Sequence, residues 1–223
     1  MYLPWLGLFD RIYKSDVFVM LDNVNYSKNY FINRNKIKTH NGWTWLTVPI
    51  ISKGHFGQLI SDVKIDNTKK WQEQHWKSIY YSYSKAQHFK KFENLIKPYY
   101  EKDAEYLCEL NIKLMLEILK ALGIKTKVVM ASELKAKGKK EELILNICKD
   151  LGATEYLSGP SGKDYLNPET WDKNGIRLEF QYYSHPVYPQ LYGEFMQEMS
   201  IIDLMFNCGD ESLKILSNQI NKG

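Results

Sequence analysis

The chain has 223 residues, 44% of them hydrophobic and 14% aromatic, enough to bury one sizeable core. Its 30 lysines and arginines against 26 aspartates and glutamates leave a formal charge of +4, carried mostly by scattered lysines, as on an ordinary solvated surface and unlike a nucleic-acid track. No stretch reaches the roughly 18 apolar residues of a membrane span, and Met1-Tyr2-Leu3-Pro4-Trp5 lacks the residue order of a signal peptide, so a cytoplasmic protein with no membrane span and no bound nucleic acid is expected.

After a helix-like opening segment, Asp16 to Leu21 is a short apolar run of β-formers, and Trp43 to Val48 is another, stopped by Pro49. Both read as strands. Lys69 to about Lys91 carries Trp71, His75, Trp76, Ile79, Tyr80 and Tyr83 at helical spacing, and Ala104 to Leu122 repeats the pattern with Leu107, Leu110, Leu114 and Ile118 before Gly123. Strand, helix and strand then alternate: Lys127 to Met130, Lys139 to Leu151, Glu155 to Leu157 and Arg177 to Tyr182. Two helices, Ser200 to Asn207 and Asp210 to Asn221, close the chain. The alternation predicts an α/β fold, a largely parallel sheet flanked by helices in a Rossmann-like or HUP-like three-layer arrangement, as one domain over residues 1–223. Cys108, Cys148 and Cys208 lie far apart within apolar stretches and are expected to be reduced and packed; no zinc spacing is present.

In open parallel sheets, ligands bind beyond the carboxyl ends of the strands. That rule selects Asp22, the loop Ser158-Gly159-Pro160-Ser161-Gly162-Lys163-Asp164, and His185. Two glycines, two hydroxyls and a lysine suit a loop whose amides and cation approach phosphate or carboxylate, although the same residues also make a plain capping turn. Asn33, Arg34 and Asn35 set a guanidinium between two amides between strands, suited to bidentate anion binding or to a solvated turn. Asp22 is either a base or a turn opener. His185, stiffened by Pro186 and followed by Tyr188, Pro189 and Gln190, is the candidate general acid or base. Ser200, Asp203 and Asn207 make a polar stripe that either faces a ligand or caps its own helix. His75, on an aromatic helical face, reads as a core histidine; His40, His55 and His88 carry no claim. A metal shared by Asp22, Asp164 and His185 stays open, and no cofactor is indicated.

Several of these segments, in order, make a wider pattern: Tyr2 to Gly7, Asp16 to Asp22, Asn33 to Ile37, Trp45 to Pro49, Tyr156 to Gly159, Lys163 to Leu166, His185 to Gln190 and Ser200 to Gly209. Together they resemble the WbqC-like protein family over nearly the whole chain. The resemblance implies bacterial surface-polysaccharide work, the making of nucleotide-linked amino sugars for O-antigen and lipopolysaccharide. It also implies a strand and a His-x-Pro segment before Tyr-x-Pro-Trp. Here Met1 directly precedes Tyr2, so the first strand is expected to be missing.

The expected function is therefore a transferase whose partners are a nucleotide sugar and a group donor. Asn33, Arg34, Ser158, Gly159, Lys163, Asp164, Tyr188, Gln190, Asp203 and Asn207 would bind substrate, and His185 or Asp22 would act as base. Two alternatives stand beside it: a nucleotidylyltransferase, by analogy of layout, and a non-catalytic scaffold of the same pathway. Self-association is left open.

Overall fold

In the computed structural model, residues 1–28, 30–52, 54 and 57–217 are described; His55 and residues 218–221 of the expected last helix lie outside them. The first helix, α1 (Leu6–Tyr13), forms because Leu6, Leu8, Phe9 and Ile12 bury one stripe. The hydroxyl of Ser15 donates to the Arg11 carbonyl 2.8 Å away just beyond its end. Residues 1–10, 24–125 and 185 onward form one compact unit, and residues 11–23 and 126–184 a second.

The first unit holds the hairpin of β2 (Arg34–Thr39) and β3 (Gly42–Thr47), antiparallel from Arg34 opposite Thr47 to Thr39 opposite Gly42. Gly42, at φ +113, follows the two-residue turn, a conformation few other residues adopt. Asn35, Ile37 and Leu46 are buried on one face; Arg34, Lys36, Trp43 and Trp45 occupy the other. Arg34 thus begins a strand, whereas the sequence placed it in a connection.

The helix expected from Lys69 to Lys91 is instead two, α2 (Trp71–Tyr83) and α3 (Phe89–Ile96). The chain turns between them, with the Ala86 amide bonded to the Tyr83 carbonyl and the His88 amide to the Phe206 carbonyl. The break lets Tyr83 and Phe89 both pack on Phe206, with ring centroids 5.2 and 5.1 Å away. Next, α4 (Leu107–Leu122) buries Leu107, Leu110, Leu114 and Ile118 and stops at Gly123, which is left-handed at φ 75. In α7 (Ile201–Cys208), Ile201, Ile202, Leu204, Met205 and Phe206 are all buried; α8 (Ser212–Leu216) is the last described helix.

The second unit is βα-alternating, as expected. Strand β1 (Val17–Met20) pairs in parallel with β4 (Lys127–Met130), and β5 (Glu155–Ser158) in parallel with β6 (Arg177–Phe180). Helix α5 (Lys140–Asp150) connects the pairs, and α6 (Pro168–Lys173) crosses from β5 to β6. Its core gathers Ile144, Leu145, Cys148, Leu166, Trp171 and Ile176, with Tyr156 stacked on Trp171 at 4.9 Å. Among the described residues the fold is mixed α/β, and each parallel pair is a separate two-stranded sheet, as is the antiparallel hairpin of the first unit.

Candidate functional site

In the second unit, Asp22 follows β1, and its carboxylate accepts from the Ser132 amide at 2.9 Å and the Ser132 hydroxyl at 2.5 Å. It caps the short turn after β4. Ser158 ends β5 and is buried; its hydroxyl donates to the Gly159 carbonyl at 3.1 Å. A side chain at Gly159 would collide with the guanidinium of Arg11, so glycine is what lets that cation lie against the loop. Gly162 likewise leaves room for the Ser158 hydroxyl. The Lys163 ammonium sits 5.7 Å from the centre of the Phe180 ring, and Asp164 ends the 3-10 turn of this loop. Two cations and a hydroxyl therefore attend one glycine loop, the second cation, Arg11, being one the sequence reading missed.

In the first unit, His185 is half-buried, and burial holds its imidazole below the usual histidine range against the opposing pull of the Pro186 carbonyl and Glu198. Its Nδ1 lies 2.9 Å from the Pro186 carbonyl, which can only accept, so Nδ1 carries the proton. Nε2 then accepts from the Glu198 amide at 3.1 Å. Glu198 extends its carboxylate to Lys36, 3.4 Å away, on the outer face of the hairpin. On that face the Arg34 guanidinium covers Trp45 at 4.4 Å and the Lys36 ammonium lies 5.6 Å from the Trp43 ring. Asn33 accepts from the Tyr26 hydroxyl at 3.0 Å and donates to the Val48 carbonyl at 2.8 Å, which fixes the chain just before Arg34.

Behind His185 is a buried polar knot. Asp203 is fully buried and accepts from Tyr83 at 2.8 Å, Tyr188 at 3.0 Å and Gln190 at 2.9 Å. Burial raises its carboxyl above the ordinary range while the three donors oppose the shift. Gln190 also bonds both backbone groups of Met196, closing the loop over residues 190–196. Asn207 donates back to the Asp203 carbonyl at 2.7 Å. Ser200 caps α7, its hydroxyl accepting from the Ile202 amide at 3.5 Å, but the reciprocal half of a capping box is not made, because the Ser200 amide bonds to Lys36 and the Asp203 carboxylate faces the tyrosines. Lys38 is buried beside this knot, its ammonium donating to the Glu194 carbonyl at 2.6 Å.

The structure links His185 through Glu198 to Lys36, on the hairpin face that also bears Arg34, with Asn33 buried just before it, and joins Tyr188, Gln190, Asp203 and Asn207 in a knot beside the histidine loop. Lys36, Trp43, Trp45 and Glu198 adjoin this face and Tyr26 bonds to Asn33; the sequence marks the tryptophans as strand residues and assigns none of the five to the site. The Trp-Thr-Trp alternation of β3 was the available signal for the tryptophans; Glu198 offered none. Among the described residues, no group of three or more His, Cys, Asp or Glu is arranged to hold a metal ion, and no helix is long and apolar enough to cross a membrane.

Residues 1–215 match the model of the WbqC-like protein family, and the chain belongs to that family. It is similar to the uncharacterized protein Rv1507c of Mycobacterium tuberculosis, 38% identical over 213 residues, which is 95% of this chain and 92% of the relative. No solved structure matches it.

Proposed function

We propose that the protein is a transferase that modifies a nucleotide-linked amino sugar destined for a bacterial surface polysaccharide such as the O-antigen of lipopolysaccharide. The observation that carries this reading is the imidazole of His185, kept neutral and held in one tautomer at the edge of a face bearing Arg34 and Lys36. An ammonium group has no lone pair, so the sugar amine must first lose a proton, and Nε2 of His185 is the base that takes it. The free amine then attacks the acyl carbon of an activated thioester donor. A carbon–nitrogen bond forms, the carbon–sulfur bond breaks, the thiolate leaves with the electron pair, and the nitrogen releases its second proton to solvent.

In this reading Arg34 binds the phosphates of the sugar nucleotide, with Asn33 positioning it. The loop from Ser158 to Asp164, taken within the second unit alone, has backbone amides and a lysine suited to an anionic group. Asp22, whose oxygens accept from the Ser132 amide and hydroxyl, is the second candidate base. The same reading takes the two parallel pairs as parts of one Rossmann-like sheet, with the protein working in the cytoplasm before export.

A thermal-shift experiment tests the binding step. UDP-glucosamine at 100 times its dissociation constant stabilises by about 2.7 kcal/mol, which raises Tm by roughly 5–10 °C for a protein of this size. Arg34→Ala is expected to lose most of that shift. A shift with nucleoside triphosphates alone would favour nucleotidyl transfer instead, and no shift with any of these ligands would favour the scaffold.

A further inference from the structure

The outer face of the β2–β3 hairpin departs from what a solvated sheet face carries. Such faces alternate to polar residues, yet here Trp43 is 50% exposed and Phe31 37% exposed. Trp43 meets Trp45 edge to face, with centroids 5.7 Å apart at 85°, and Phe31 lies 5.9 Å from Trp45. The two indoles present differently oriented surfaces flanked by the cations of Arg34 and Lys36. Alternation along β3 puts Trp43 and Trp45, at i and i+2, on one face, which explains why the indoles meet. It does not explain the second peculiarity, which lies at Glu198.

Glu198 has a positive φ of 62, a left-handed backbone that a residue with a side chain rarely adopts. Two contacts hold it there: its amide donates to Nε2 of His185 at 3.1 Å, and its carboxylate reaches Lys36 at 3.4 Å. The Pro186 carbonyl and the rings of Tyr188 and Phe195 also lie against the imidazole. One residue therefore occupies both the lone pair a general base needs and the cation an anionic substrate would seek.

We propose that the hairpin face is the sugar-binding subsite of the protein, with the pyranose ring of a nucleotide-linked sugar stacked on Trp43 and its pyrophosphate drawn to Arg34 and Lys36. Glu198 is the latch that the pyrophosphate displaces. The tryptophan supplies a rigid apolar surface for the carbon–hydrogen face of the ring, and the flanking cations match the charge of the phosphates. When the phosphates take Lys36, Glu198 loses one of the contacts holding its left-handed backbone, and its amide leaves Nε2 free. The histidine then becomes a proton acceptor only when substrate is present. This inference rests on the transferase reading for the proton that His185 receives; the binding claim stands apart from it.

Isothermal titration with UDP-glucosamine and with UDP tests the subsite without reading turnover. UDP-glucosamine is expected to bind at least tenfold more tightly than UDP. Trp43→Ala should abolish that preference while leaving UDP within twofold, with Trp43→Phe restoring part of it. Glu198→Gln, at an exposed side chain, should tighten both ligands threefold or more because a neutral amide competes less for Lys36. Unchanged affinities in Trp43→Ala or Glu198→Gln, or no binding of either ligand at millimolar concentration, would overturn the proposal. A protein that shows the expected binding but transfers nothing would refute the transferase reading and leave the subsite standing.

Discussion

Asp203→Ala is expected to cost roughly 3–5 kcal/mol of stability, a large share of the about 5–15 kcal/mol a domain possesses. The carboxylate has no exposed surface and accepts from Tyr83, Tyr188 and Gln190. Removing it leaves those three donors without their shared acceptor, and each stranded buried polar group costs about 1–3 kcal/mol. The loss is not confined to one spot, because Tyr83 belongs to α2, Tyr188 and Gln190 to the histidine loop, and Asp203 to α7. Asp203→Asn keeps one acceptor oxygen and is expected to lose about half as much. Urea unfolding followed by circular dichroism measures both, and an alanine variant as stable as the wild type would show that the knot contributes nothing net.

The second large effect is an acid sensitivity set by His75. Burial pushes its imidazole down to about 4, against the opposing bond to the Thr47 backbone. Nδ1 accepts from the Tyr2 hydroxyl at 2.9 Å, and Tyr2 in turn pairs with the Tyr100 hydroxyl at 2.5 Å. The rings of Trp71 and Tyr100 enclose the site. Because the folded pKa lies below the unfolded value of 6.5, the unfolded chain binds more protons between pH 6.5 and about 4. Stability from this group is thus fully present above pH 6.5 and is lost as pH falls towards about 4, by about 3 kcal/mol in all. Carboxylates titrate in the same range, so the decisive quantity is the difference in slope between wild type and His75→Phe. Equal slopes would mean that His75 is not the sensor.

Part of this architecture could be read before any coordinates. Lys127 to Met130 is a strand at the residues expected, and α4 ends at the glycine that the sequence marked, because both signals are local: a β-branched run and a left-handed C-cap. His75 was legible too, since it shares a helical face with Trp71 and Ile79, and it is buried among aromatic rings. The break between α2 and α3 was not legible, because it is set by contact with Phe206, more than a hundred residues away. Nor was β2. Its sequence Arg-Asn-Lys-Ile-Lys-Thr has no apolar alternation, and buried Asn35 and Lys38 look like loop residues until their partners, the carbonyls of Leu3 and Glu194, are known.

The candidate site divides in the same way. Arg34 and His185 stood out because their residue types and flanks suit anion binding and proton transfer. Asp203 stood out for its spacing, while its three donors come from segments that no local pattern connects. Glu198 carries no signal at all: its importance comes from a backbone conformation and from two neighbours, Lys36 and His185, brought beside it by folding.

The most direct test of the account is turnover. Purified protein is incubated with UDP-glucosamine and a panel of acyl thioesters, and thiol release and acylated sugar are measured for wild type and His185→Ala. Release of one thiol per acylated sugar is expected of the wild type, and a loss of about 10²–10⁴-fold in kcat on removing the base, with UDP-glucosamine binding retained. Equal turnover by His185→Ala, or no acyl transfer from any thioester by a wild-type protein that binds the sugar nucleotide, would contradict it.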